Sequence, residues 1–267
     1  MIRVEMVRQA RRRRTALSYL ALVAIPVVVM VALLVNGTPS REGRPPELVD
    51  VASASGLNFA LFLLLATSQF LLVVVVALFA GDAVASEAQW GSLRYLLTRP
   101  ISRARLLRTK LVVASVYAAG AVVLVPVASL AMGTVAFCWS AVQTPLAGAL
   151  GVNTGLSRLL LATAYVLACM AVVVALAFWF STLTDAPLSA VGGVVVLVVV
   201  SEILDQVTAL GSLRAVLPTH YWLAWLDLLV DPVSTSAMTR GLLQMTPWVV
   251  APLGIAFARF ARKDILS

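Results

Sequence analysis

One histidine, two cysteines and two lysines are all that the 267 residues contain of those types, and each scarcity removes a class of chemistry. An H-E-x-x-H zinc site or any cluster of several histidines is excluded by count, because His220 stands alone. His220 lies beside Tyr221 and Trp222 and reads as an interfacial polar residue. Cys138 and Cys169 fall near the outer end of one apolar run and about 12 residues into the next. At 1.5 Å per residue that is a depth difference of ~18 Å, against the ~7 Å Cα separation a disulfide tolerates. They read as small apolar residues inside a membrane. No G-x-x-x-x-G-K-[ST] stretch is present, so this chain has no phosphate loop with which to hold ATP.

Charge is also sparse. Only 12% of residues are charged, about half the roughly 25% of a soluble domain. Hydrophobic residues make up 61%, and the mean hydropathy of +0.98 places the chain in a bilayer. The net charge of +8 sits at the ends of apolar runs and is not interleaved with stacking aromatics, which argues against nucleic acid as a partner.

Six apolar runs approach the ~20 residues a bilayer crossing needs: Thr15–Val35, Leu57–Ala80, Leu111–Trp139, Ser157–Phe180, Pro187–Leu204 and Gly241–Phe260. The first is too long for a signal-peptide core, and Asn36-Gly37-Thr38-Pro39 offers no A-x-A cleavage pattern, so it is expected to remain as a span. The third is long enough to project from the membrane or bend at Pro126, and the fifth has room to extend past Asp205. With both termini inside, fifteen of the twenty Lys and Arg residues lie on the inner side. That bias predicts a multi-pass protein with cytoplasmic termini, and the expected location is a bacterial plasma (inner) membrane. Trp139, Tyr221, Trp222, Trp225 and Trp248 then fall near the outer ends, as an aromatic belt would.

The predicted architecture is all-α and polytopic, a single permease-like domain over 1–267. Residues 1–14 alternate Ile2, Val4, Met6 and Val7 with arginines, which suits an interfacial helix, a disordered basic tail being the alternative. Residues 206–240 are semi-apolar and predict an external loop with short re-entrant or interfacial helices. No predicted span interior carries Asp, Glu, Lys or Arg; Glu202 and Asp205 come closest, at the outer end of the fifth. An ion-coupled carrier ordinarily needs such a group.

The stretch 81–110 carries Arg94, Arg99, Arg103, Arg105, Arg108 and Lys110 against Asp82 and Glu87. Leu93, Leu96 and Leu97 share one helical face, Pro100 interrupts, and Ser102 is placed to cap the next helix. A basic loop with helical order between two spans suggests a cytoplasmic docking surface.

The order of residues in this loop resembles that of the permease subunits of type-two ABC exporters. The shared pattern is Glu87, Gly91-Ser92-Leu93, Leu96-Leu97, Arg99-Pro100-Ile101-Ser102-Arg103 and Lys110, and the tail Phe260-Ala261-Arg262-Lys263-Asp264 is similar to the ending of that family. The resemblance implies a coupling helix between the second and third spans, seated in a cleft of a separate ATPase subunit that binds ATP and Mg. It implies no cofactor and no ATPase site on this chain, and a pathway formed with a second permease, identical or homologous, within the lipid bilayer. Leu93, Leu96 and Leu97 would anchor the helix; Arg99, Arg103 and Arg105 would pair with acidic groups or lipid phosphates. Gly91 would permit close approach, Pro100 would fix the bend, and Glu87 would pair with Arg94 or Arg103. The competing expectations are an ion-coupled secondary carrier, an intramembrane enzyme acting on lipid-linked substrates, and a membrane scaffold that docks a soluble protein.

Overall fold

The computed structural model describes residues 2–36, 51–89, 102–144 and 148–262. Among these residues the chain is all-α apart from one small hairpin. In order, the helices are α1 (Ile2–Ala10), α2 (Arg13–Asn36), α3 (Gly56–Ser68), α4 (Leu71–Gln89), α5 (Arg103–Phe137), α6 (Val152–Leu183), α7 (Pro187–Gln206) and α8 (Ser236–Arg262). The hairpin pairs β1 (Val142–Thr144) with β2 (Gly148–Leu150), Val142 lying opposite Leu150. Six of the helices, α2 and α4 to α8, are long and apolar enough to cross a membrane.

α4 and α6 form the centre. Leu72, Val76, Ala77, Ala80, Val172, Val173, Ala175, Leu176 and Phe178 are all fully buried there. α5 and α7 flank this pair, while α2 and α8 lie outermost and bury few of their side chains. Such exposure is what a lipid-facing helix requires, since it has no aqueous face to hide.

The second crossing differs from the expected continuous Leu57–Ala80 helix. It is two helices, α3 and α4, parted at Gln69 and Phe70. Thr67 Oγ1 donates to the Leu63 carbonyl at 2.7 Å, and Ser68 Oγ to that of Leu65 at 3.0 Å. Hydroxyls bonding back onto their own turn favour a bend here without any Pro or Gly. α4 then runs on to Gln89 and carries Asp82 and Glu87 within it.

α5 is continuous through Pro126 and 35 residues long. At ~1.5 Å per residue it measures ~52 Å, well beyond the ~30 Å hydrocarbon core, so it projects. Ser102 occupies its N-cap position with extended backbone but makes no side-chain cap hydrogen bond. α7 extends to Gln206.

α3 and α5 cross at two glycines. A β-carbon on Gly56 would lie 2.7 Å from the Thr134 amide nitrogen, and one on Gly133 would lie 3.0 Å from the Gly56 Cα. Only hydrogen fits at either position. The hairpin is then clamped to α3 by Asn58, whose Nδ2 donates to the Gln143 carbonyl at 2.6 Å while its Oδ1 accepts from the Gln143 amide at 2.9 Å. The carboxamide thus behaves as a missing backbone strand.

Between α7 and α8 the helical content is 3₁₀, over Thr208–Val216, which is kinked at Gly211, and over Ala224–Leu229. They are held by Gln244, whose Nε2 donates to the carbonyls of Val216 and Leu217, and by Tyr165, whose hydroxyl donates to the Tyr221 carbonyl. Trp222 and Trp225 are buried under this cap. They are core residues, not belt residues, because the segment folds back onto α6 and α8.

Candidate functional site

The arginine-rich end of the bundle gathers charges from four helices. Lys110, in the first turns of α5, reaches across to α4. Its Nζ lies 2.7 Å from a Glu87 carboxylate oxygen and donates to the Ala83 carbonyl at 2.8 Å. Both side chains are almost wholly buried, at 3% and 4% exposure. A pair so enclosed persists only where geometry and further hydrogen bonds offset desolvation.

α1 completes the cluster. Arg8 bonds both Glu87 and, at 2.6 Å, Glu5, while Glu5 stands 3.5 Å from Lys110. Partial burial works against the Arg8 charge, but Glu87 and Glu5 outweigh it and raise its pKa above the ordinary value. Met6 accepts a hydrogen bond from the Tyr117 hydroxyl at 2.7 Å. The N-terminal segment is therefore a helix, as one reading of its alternation suggested, and it is fastened to α5. Its Ile2, Val4 and Val7 remain exposed.

A second ion cluster lies beside the first. Asp82 on α4 is bonded by Arg12 and lies 3.4 Å from Arg14. Around both clusters opens a cavity of about 790 Å³ lined by Arg8, Arg12, Arg13, Arg14, Asp82, Ser86, Glu87 and Gln89. Arg12, Arg14, Asp82 and Gln89 also line a neighbouring, narrower groove of about 370 Å³ between α2, α4 and α7.

Of the predicted coupling residues, Glu87 is placed at the centre of the network. Arg103 opens α5 and donates its Nη1 to the Ala261 carbonyl at 3.2 Å, tying α5 to the end of α8. Gly91, Leu93, Leu96, Leu97, Arg99 and Pro100 lie outside the described residues, as does the Arg94 named as a partner for Glu87. Sequence reasoning missed Lys110 as a buried ion-pair member, and Arg8 and Arg12 as partners of α4. Their one signal was the pairing of an acidic α4 end with an arginine-rich N-terminus. Asp82, Glu87, Lys110 and Arg158 are all buried within helices, the first three beyond the predicted span bounds and Arg158 at the edge of the fourth.

The opposite end holds a smaller polar set. His220 Nδ1 and Asp205 Oδ1 are 2.5 Å apart, and Arg214 Nε approaches the same oxygen at 3.5 Å. His220 thus ties the 3₁₀ region to α7. Cys138 is exposed and Cys169 buried, and neither is in a disulfide. Among the described residues no group of three His, Cys, Asp or Glu is placed to hold a metal ion.

Among curated proteins none matches the chain. The profile of DUF2705, described as a protein of unknown function, matches residues 47–266. That span takes in everything from just before α3 to the end of α8, and the chain belongs to this family.

Proposed function

We propose that this chain is the membrane-spanning subunit of an ATP-driven transporter of the type-two ABC exporter kind. It would sit in a bacterial inner membrane with both termini cytoplasmic and form a pathway with a second permease. The observation that carries the reading is the ordered pattern Glu87, Gly91, Leu93, Leu96-Leu97, Arg99-Pro100, Arg103 and Lys110 between two spans. The fifteen basic residues that the sequence topology assigns to the inner side support the orientation.

The network around Glu87 supports the mechanism. A helix docked on an ATPase must pass displacement to the spans on either side of it. Here α4 and α5 enter and leave the 90–101 segment, and they are joined at its base by the Glu87–Lys110 pair. A push on that segment would move both helices together. Asp82 and Glu87 each have cationic partners, which favours a structural role over the proton relay of an ion-coupled carrier.

The test is co-purification of an ATPase, with substrate-stimulated hydrolysis in reconstituted vesicles. Leu96→Asp, or Leu93→Ala with Leu97→Ala, should release the ATPase or uncouple hydrolysis from transport while the spans still insert; losing a buried leucine contact costs ~2–5 kcal/mol. Wild-type ATPase binding and transport in these variants would overturn the assignment. Loss of transport on dissipating the proton gradient at constant ATP would favour the carrier instead.

A further inference from the structure

We infer that the groove between α2, α4 and α7 binds a phospholipid with an anionic headgroup, its phosphate held at the arginine-lined mouth and an acyl chain laid along the apolar floor. The inference uses the orientation proposed above, which puts this groove in the inner leaflet. It does not depend on an ATPase partner.

The groove changes character along its length as an amphiphile does. At the mouth, the wide cavity presents four arginines against two carboxylates, an excess of positive charge. Planar guanidinium groups match phosphate oxygens in pairs, which suits Arg12 and Arg14 to a phosphodiester. Beside the arginines the groove carries the hydroxyl-bearing Thr15 and Ser18 of α2. Its apolar walls are Leu78 and Phe79 of α4 and Leu188 and Val191 of α7. Leu188 is 81% exposed, so the groove is open sideways to the membrane and a lipid enters without crossing the bundle.

Charge decides between occupants. A zwitterionic lipid would bring its own cation into a mouth already in cationic excess, whereas an anionic one relieves that excess. Free phosphate would satisfy the mouth alone and leave the apolar floor uncovered. A second copy of this chain would bring the same arginines against each other.

The experiment is native mass spectrometry of the full chain in mild detergent, titrated with phosphatidylglycerol or with phosphatidylcholine of the same chains. Wild type should retain phosphatidylglycerol in preference. Arg12→Ala with Arg14→Ala, combined with Asp82→Asn so that no carboxylate is stranded, should lose that preference roughly tenfold. Arg12→Lys with Arg14→Lys should keep much of it, and Arg259→Ala with Arg262→Ala, at the same end on α8, should leave it intact. Val191→Trp, which fills the floor, should reject the lipid, and inorganic phosphate should compete poorly. Equal retention of the two lipids, or retained preference without Arg12 and Arg14, would overturn the proposal. So would displacement by inorganic phosphate alone, or a Leu188→Cys disulfide between two copies in native membranes.

Discussion

Lys110 and Glu87 face each other at 2.7 Å across α5 and α4, and almost nothing of either side chain reaches solvent. Removing Lys110 takes the buried cation from Glu87 and leaves it the half-exposed Arg8, a weaker partner. Lys110→Met should therefore cost up to ~3 kcal/mol, whereas Lys110→Met together with Glu87→Leu should recover much of that loss. Thermal unfolding in detergent, followed by size-exclusion homogeneity, reads the difference. A double variant no more stable than the single would mean that the pair is not the source of the cost.

The glycine crossing of α3 and α5 has no spare volume. Gly133→Leu should prevent the two helices from closing and sharply lower the yield of monodisperse protein, because its β-carbon already meets the Gly56 backbone. Gly192 and Gly254 are the controls, since a β-carbon at either would meet nothing within 4 Å. Gly→Ala at either should be neutral or stabilise by up to ~1 kcal/mol.

Asn58 holds the hairpin by both ends of its carboxamide. Asn58→Asp keeps the shape but turns a donor into an acceptor, so the Gln143 carbonyl loses its partner. Amide exchange at Gln143 and around the hairpin should accelerate in Asn58→Asp and further in Asn58→Ala, with each lost bond worth about 1 kcal/mol. Unchanged exchange there would show that packing alone holds the hairpin.

Cysteine reactivity separates the two ends of the bundle. A membrane-impermeant maleimide added to intact cells should label exposed Cys138 and spare buried Cys169. Ser102→Cys in a Cys138→Ser background should label only after permeabilisation. Labelling of Ser102→Cys from outside would invert the proposed orientation.

The crossings were legible because apolar runs of this length have few other uses, and even the extension of the fifth past Asp205 followed from the residues there. The break at Gln69–Phe70 was hidden, since neither residue is a helix breaker. The hydroxyls of Thr67 and Ser68 turn back on their own chain just before it, a local bond that a hydropathy pattern does not reveal. The ion clusters were hidden for another reason. Arg8 and Glu87 stand 79 positions apart, and a rule that assigns cations to membrane sides does not say which of them meet. Trp222 and Trp225 misled in a similar way, because an amphipathic ring near a span end suits the membrane surface and a folded-back cap equally. The pattern proposed for coupling at 87–110 was readable only as an order of residues; that Glu87 and Lys110 meet in the fold was not.

The joint between α3 and α4 divides one membrane crossing into two pieces with separate anchors. The upper piece is seated by the Gly56–Gly133 contact and the Asn58 carboxamide. The lower piece is seated by Ser181, whose hydroxyl accepts from the amides of Val84 and Ala85, and by the salt bridges at Glu87 and Asp82. An unbroken helix would act as a rigid rod and carry every tilt at one membrane surface straight through to the other. In the proposed transporter a jointed one would work as a clutch: the lower half would swing while the upper half kept its seat, and the two surfaces would open at different times.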